Sequence, residues 1–568
     1  MKKNNLTAII GYGIVFLSVF YVIYSFSFGL ENNVEELPLI YKLLGLAEYV
    51  NDDFVEEHTS QYTQVTPYVT VISLLAKTLQ LQDLTFLFFI LHAANIVLLY
   101  LSLRQIHKNA SNTSELLILF SITFFSLILY VNDNLWIPSG RWLFINYLDP
   151  ELVTTPFLFF TIAFYINKNH RLSYFYLLLA TLLHPLYAIP LFLAFLISFL
   201  IQIIRRKIGI IEAVKHSIIY AIAVIPYTLF LHLQSKQSIQ STIEPSMVTE
   251  FIRAPHHFVI PPFSPSTFLL KPFLLYVITF SAITFIIWKY LIINSNLLNY
   301  DVARLLKVMR LNQLFIQHEE NTKNITNNRL PENLVELIVV NLSLVSLLLL
   351  TSFISGFVRI SLLVNLTVYR VGLVVVTLTW IILVCSFLNK LEIKEYRLNH
   401  VGKLLLRAAI VIVLLLSLSD LKKSYATPER SMSSTQKEVV SWVKGNTNSS
   451  DLFLSYVDFD IRTSCLRSSY FEFKTIPLTA DGQILWYERY LNYLDVPKKI
   501  AAQKYHEVAM YAESQHQVDI SHVVANSGVP IKYILISKLD VNRSYAFSLK
   551  NFKCVFENDA YQVYYRLS

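Results

Sequence analysis

The chain has 568 residues, 54% of them hydrophobic and only 15% charged, with a mean hydropathy of +0.48. A soluble chain carries about 25% charged residues, so a single water-soluble globule is excluded. The net charge of +8 does not indicate nucleic acid as a partner, because Lys and Arg sit mainly in short loops between apolar runs, as a membrane topology signal places them.

The N-terminus, MKKNN followed by an apolar run to Phe28, is too long for a signal-peptide core and has no small-residue cleavage site. It reads as a retained first transmembrane helix. A spanning helix needs roughly 20 mainly apolar residues. Runs that qualify are 7–29, 84–103, 115–132, 151–167, 190–204, 209–233, 268–294, 335–355, 366–389 and 404–420, with 172–183 as a short extra helix ending at His184. That is about eleven spans.

Starting with Lys2 and Lys3 inside, alternation puts Arg104 with Lys108, Lys168 with Arg171, and Arg205-Arg206-Lys207 all inside. It does the same for the basic loop 295–334 and for Lys390, Lys394 and Arg397. This is the positive-inside pattern. The odd count then places the C-terminal part outside. The expected outer loops differ in character: 30–66 is acidic, 132–150 holds Asp133, Arg141 and Asp149, and 234–266 holds Arg253, His256 and His257. Segment 67–82 is only modestly apolar and reads as a helix lying along the outer membrane surface.

From about Ser424 the composition becomes soluble, giving a membrane domain 1–423 and a tail 424–568. Residues 434–444 read as an amphipathic helix stopped by Gly445-Asn446. The runs 451–457, 469–474 and 531–537 read as strands, 481–514 as helical, and 553–567 as a hairpin turning at Asn558-Asp559. The expected fold class is mainly α, with a small extracytoplasmic α/β domain after it. Of three cysteines, Cys385 lies in a span. Cys465 and Cys554 lie in the tail, where two unpaired thiols outweigh a disulfide.

The layout resembles the GT-C glycosyltransferases, membrane enzymes that use polyprenyl-phosphate sugars. It is similar in particular to a family of uncharacterised bacterial multi-pass proteins of GT-C type. The segments that carry this are ELP at 36–38, NDDF at 51–54, HP at 184–185, RAPHHF at 253–258 and the tail segment 439–489 with its RTSCLRSSYFEFKTIPL run. The chain lacks the WWDYG-like tail motif of oligosaccharyltransferases, which argues against protein N-glycosylation.

The resemblance implies an enzyme of the bacterial inner membrane, with the N-terminus cytoplasmic. It would move a sugar from a polyprenyl-phosphate donor to an extracytoplasmic glycan or lipid acceptor. It implies a carboxylate of the first outer loop as catalyst: Asp52 or Asp53, with Glu36 (and, more weakly, Glu31) of the same kind. Asp52 and Asp53 suit either a base or a site for Mg²⁺ or Mn²⁺; the bland alternative is a solvated acidic turn. Arg253, His256 and His257 suit a phosphate or proton-transfer cluster, or else a capping loop. Arg370, charged inside an apolar helix, reads as facing a polar cavity where lipid phosphate binds, against simple snorkelling. His184 is a substrate-binding candidate that reads equally as a structural cap. Arg462, Arg467 and Lys474 read as a solvated basic strand face. No phosphate-cradling glycine loop is present, so no nucleotide cofactor is expected. The rival classes are a flippase for lipid-linked glycan and a non-catalytic scaffold with a binding tail.

Overall fold

The structure, a computed structural model, describes residues 26–29, 33–81, 83–110, 147–234, 245–248, 252, 331–357, 371–393, 432–477, 479–497, 508, 517–540, 544–546 and 551–567. Arg253, His256, His257 and Arg370 lie outside them, as do the expected spans 115–132, 268–294 and 404–420 and most of 7–29.

The acidic loop 30–66 is helical. It forms α1 (Asn33–Leu44) and α2 (Asp53–Ser60), followed by α3 (Thr66–Thr78). With 13 residues, α3 is shorter than a spanning helix requires. It buries Tyr68, Val69, Ile72 and Ala76 against the protein and exposes Val71, Leu74 and Leu79. An apolar outer face suits a helix lying on a membrane surface.

Next come the helices α4 (Thr85–Ala110), α5 (Pro150–Ile166), α6 (His170–Leu183), α7 (Pro185–Ile204), α8 (Ile210–Gln234), α10 (Glu332–Phe357) and α11 (Gly372–Ile393), with a short α9 (Pro245–Val248) after α8. Among the described residues, α4, α7 and α8 are long and apolar enough to cross a membrane by length and composition, and shorter apolar helices occupy 150–166 and 372–386. Expected and observed limits agree closely for α5 and α8, because an apolar run and its flanking charges are local properties of the chain. One core joins these helices, through residues such as Leu99, Phe159, Phe195, Tyr220, Leu344 and Leu378. Outward, α8 carries Ile211, Ile218, Ile222, Ile225 and Leu229 exposed on one face. Such a stripe is costly in water and at home in hydrocarbon. The chain is a membrane protein.

Lys168 and Lys207 both reach Glu332 (3.4 and 2.9 Å), and Arg205 reaches Glu336 (3.3 Å). The basic ends of α5 and α7 thus meet the start of α10 on one side, as charge alternation requires. On the other side, Asn33 Nδ2 and Tyr68 Oη donate to the Leu148 carbonyl (2.6 and 3.3 Å). The first outer loop and the segment before α5 therefore share a face, and the tail packs on that same face.

The tail begins with α12 (Ser434–Asn446), which starts in a capping box between Ser433 and Gln436. Then follow β1 (Leu452–Tyr456), α13 (Ile461–Cys465), β2 (Ser468–Ser469), α14 (Ala480–Tyr493), β3 (Gln517–Asp519), α15 (Ile520–Ala525), β4 (Tyr533–Ser537), β5 (Ser544–Ala546), β6 (Phe552–Glu557) and β7 (Tyr561–Arg566). The main sheet has the order β2-β1-β4-β7-β6. β1 runs parallel to β2 and β4, and β7 antiparallel to β4 and β6. β3 and β5 form a separate parallel pair.

Leu452, Leu454, Ile534 and Ile536 pack beneath α14, while Phe453, Leu535 and Val563 pack beneath α12. Burial on both faces explains why β1 and β4 are continuous apolar runs rather than alternating ones. The hairpin turns as expected, with Asn558 Oδ1 accepting from the Ala560 and Tyr561 amides. All three cysteines are free; Cys465 is buried and Cys554 lies exposed on β6.

One element departs from expectation. The run 469–474 is a strand only at Ser468–Ser469. The Tyr470 amide still donates to the Phe453 carbonyl of β1 (2.8 Å), and beyond it the chain leaves the sheet and its groups bond sideways. Arg489 Nη1 donates to the Tyr470 carbonyl (2.8 Å) and Trp486 Nε1 to the Glu472 carbonyl (3.2 Å). Those carbonyls are satisfied by side chains of α14, not by a ladder.

Candidate active site

The acidic loop and the tail meet along α2. Asp52 caps that helix, accepting from the Val55 amide at 3.3 Å. The turn before it is strained: Tyr49 and Asn51 both have left-handed backbones (φ 51° and 60°). Asn tolerates that region; Tyr does so at a cost. Tyr49 is held there by its hydroxyl, which donates to the Arg462 carbonyl at 2.8 Å.

Asp52 is 0% exposed. Its Oδ2 accepts from Arg462 Nε at 2.6 Å and from the Ser469 amide at 2.9 Å. Arg462 also donates to Thr475 Oγ1 and lies over the Phe54 ring, 5.2 Å from its centre. Burial works to lower the pKa of Arg462, but the Asp52 carboxylate, with Asp460 and Glu472 beside it, raises it overall. This is a closed, satisfied buried ion pair. Among the sequence-based roles, the geometry therefore gives Asp52 a positioning part rather than contact with a substrate.

Asp53, the next residue, stands differently. It is half-buried and pairs with Arg489 of α14, which also stacks over Tyr470 at 4.8 Å from the ring centre. Burial raises its carboxyl pKa, Arg489 opposes the shift, and Asp52 and Glu56 add to it. Glu57 lies one turn further along the same face of α2. Burial pushes its carboxyl up to about 8, against a backbone hydrogen bond from Thr479. Its Oε1 has no hydrogen-bond partner among the described residues. Glu57 abuts Gly482 so closely that a Cβ at 482 would overlap its carboxylate. Glu472, beside Arg462 and Ser469, is raised in the same way, chiefly by burial. A cavity of about 20 Å³, room for a water, opens between Asp53, Arg462, Glu472, Thr475, Trp486 and Arg489.

Three carboxyl groups with raised pKa and two arginines thus share one seam. Strongly shifted groups beside specific charge partners mark candidate functional sites. Sequence reasoning singled out Asp52 and Asp53 but read Glu57 as surface charge, and it gave no role to Glu472 or Arg489. It also read Arg462 and Arg467 as a solvated strand face. Both are buried. Arg467 donates to the Lys444 and Thr447 carbonyls (3.0 and 2.8 Å), closing the C-terminal end of α12. Lys474 is exposed, as expected. The i,i+4 spacing of Asp53 and Glu57 was the signal available for that pair.

Glu36 is buried in α1, on the outer-loop side of Tyr68, whose hydroxyl pKa it and Asp149 raise together with burial. His184 is also buried. It ends α6 and precedes α7, with Nε2 3.6 Å from Glu151 Oε1, and Tyr187 donates to Glu151 Oε2 at 2.8 Å. These groups lie among the protein's own partners beneath the outer loop, not in the seam with Asp53. Val248 and Ile252 join the tail core beneath α14.

A divalent cation at Asp52 and Asp53 does not fit this arrangement. Each carboxylate already faces a guanidinium, which occupies the place and supplies the charge of a metal ion. Among the described residues, no group of three or more His, Cys, Asp or Glu converges as a metal site.

Residues 434–493 match the model of a family described as "Domain of unknown function (DUF6798)". That stretch contains Arg462, Ser469, Glu472, Gly482 and Arg489, every tail residue of the seam. No curated protein matches the chain. Among solved structures, the chain is similar to the crystal structure of ArnT from Cupriavidus metallidurans bound to undecaprenyl phosphate, with 9% sequence identity and a TM-score of 0.39, over 99% of this chain and 98% of that one.

Proposed function

We propose that this protein is a membrane glycosyltransferase. In this reading it takes a sugar from a polyprenyl-phosphate carrier at the outer face of the bacterial inner membrane and passes it to an extracytoplasmic glycan or lipid. The observation that carries the reading is the pairing of Asp53 on the first outer loop with Arg489 on the tail. That carboxylate is raised in pKa, fixed in direction and half-open to solvent. A base works best when its pKa approaches the operating pH.

An acceptor hydroxyl attacks the anomeric carbon. Its proton passes to Asp53, the bond between that carbon and the phosphate oxygen breaks, and polyprenyl phosphate leaves with the electron pair. Arg489 orients the base, and Asp52 with Arg462 holds α2 against the tail. Arg253 and Arg370 are the sequence-based candidates for the leaving phosphate. Glu36 is the second carboxylate to test as base. No step uses Mg²⁺ or Mn²⁺.

The test is release of polyprenyl phosphate by the purified full chain in lipid, supplied with a panel of polyprenyl-phosphate sugars. Release lost in Asp53→Asn with the tail still docked supports the reading. Release that persists undiminished in both Asp53→Asn and Glu36→Gln sinks the assignment. The closed Asp52–Arg462 pair favours one other reading, a scaffold whose tail is fixed to the membrane domain; that reading expects no release from any donor.

A further inference from the structure

On the other side of α2 lies a second cavity, of about 350 Å³, within the size range of small-molecule sites, ~300–1,000 Å³. It sits between α1, α2 and α3 and is lined by Leu39, His58, Thr59, Ser60, Gln61 and Thr70 among others. Among the described residues, no Lys, Arg, Asp or Glu lines it. Its rim residue Tyr62 packs edge-on against Tyr227 and Phe230 of α8 (ring centres 6.3 and 5.3 Å apart). That places the cavity beside one end of a membrane helix.

The lining has a definite hydrogen-bond sense. His58 Nδ1 lies 2.9 Å from the Phe54 carbonyl. A carbonyl only accepts, so the proton is on Nδ1 and Nε2 keeps a lone pair. Burial lowers the ring's pKa to about 4, so it stays neutral. The Thr59 and Ser60 hydroxyls donate to the Val55 and Glu57 carbonyls (2.7 and 3.1 Å). Their oxygens are left as acceptors. The cavity therefore offers acceptors from His58, Thr59 and Ser60, donors from the Gln61 amide and the Thr70 hydroxyl, and, among the described residues, no formal charge. An uncharged lining of mixed donors and acceptors holds phosphate poorly, because phosphate is gripped by cations, and suits a neutral ligand rich in hydroxyl groups.

From this we infer that the cavity between α1, α2 and α3 binds a neutral sugar unit, and that the sugar belongs to the acceptor glycan rather than to the donor. The inference rests on the glycosyltransferase reading and deepens it, by naming the acceptor class and its subsite. One helix then serves both partners: α2 presents Asp53 to the tail seam and His58 and Thr59 to the glycan.

The experiment uses the full chain in lipid nanodiscs and neutral tetrasaccharides of glucose, mannose, galactose and N-acetylglucosamine, with binding read by saturation-transfer NMR and titration. Thr59→Val removes one acceptor, and Thr70→Trp fills the space from the exposed side of α3. We expect binding of at least one saccharide, weakened about three- to tenfold by Thr59→Val and lost in Thr70→Trp. A glucuronate-bearing tetrasaccharide should bind more weakly, and polyprenyl-phosphate sugar should not compete. Thr70→Trp should melt at the wild-type temperature, which shows that this variant is folded. Absence of binding by every saccharide, binding indifferent to both variants, or competition by the donor would each overturn the inference. If release is intact when this happens, the glycosyltransferase reading stands without the subsite. If release is absent as well, both fall.

Discussion

Asp52 and Arg462 are 410 residues apart in the chain and 2.6 Å apart in the structure. One belongs to a loop between membrane helices and the other to the soluble tail. Their contact is buried on both sides, so it fixes the tail on the membrane domain and, with it, the position of Asp53 against Arg489.

The first prediction concerns that pair. Removing one partner strands a buried charge, which costs about 3–5 kcal/mol. Arg462→Ala or Asp52→Ala should undock the tail, seen as new protease cleavage and faster hydrogen exchange in 461–475. The double replacement Asp52→Leu with Arg462→Met should lose less than either single change. Equal protection in wild type and Arg462→Ala would show that the pair does not hold the seam.

A second prediction concerns close approach. Gly482 meets the Glu57 carboxyl group, and a methyl there has no room. Gly482→Ala should push the Glu57 carboxyl end aside and destabilise the docked tail by less than the usual overpacking cost of about 1–3 kcal/mol, because the group that must move ends a flexible side chain. Glu57→Ala should recover most of that loss, and a double-mutant cycle on thermal melting measures the coupling. Additive effects would mean that the two residues do not touch.

The third prediction is a pH dependence. Glu57 has an ordinary pKa of 4.5 and one of about 8 in the fold. Between those values the folded state holds a proton that the unfolded state lacks, so stability falls as pH rises. The contribution is complete below pH 4.5 and is lost as pH climbs through about 8. Asp53 and Glu472 shift in the same direction, both chiefly by burial. Below about pH 6.5 the depressed pKa of buried His58 works the other way, so the melting temperature should decline between about pH 6.5 and about pH 8.5, and Glu57→Gln should flatten the decline. A melting temperature that rises over this interval in wild type would contradict the assignment.

The fourth concerns catalysis. Asp53→Asn keeps the shape of the side chain but cannot take a proton. Release of polyprenyl phosphate should fall by about 10²–10⁴-fold, the usual contribution of a general base. Arg489→Lys should give a smaller loss, because a lysine keeps the charge but not the fixed fork. Its pH–rate profile should shift, reporting a changed Asp53 pKa. An unchanged profile in Arg489→Lys would detach Arg489 from the base.

The sequence by itself determined the features that depend on local composition. Apolar runs bounded by Lys and Arg gave the limits of α5 and α8 to within one residue, while α4 runs on seven residues past its apolar run and α7 starts five residues before its own. The marginal apolarity of 67–82 gave α3 as a surface helix, and Ser433, Asn558 and the run 531–537 marked a cap, a turn and a buried strand. Asp52 and Asp53 stood out as a pair of carboxylates in an acidic loop, but one residue's step along the chain sends them to different partners and different parts. Only the tertiary structure decided that, because pairing with Arg462 or Arg489 depends on contacts across some 400 residues and on how much water each contact excludes. The same exclusion turns Glu57 from an apparent surface charge into a carboxyl group with a pKa near 8. It also makes Arg462 and Arg467 buried clasps instead of a solvated face. Charge and hydropathy are properties of a residue, but the free energy of a charge is a property of its surroundings.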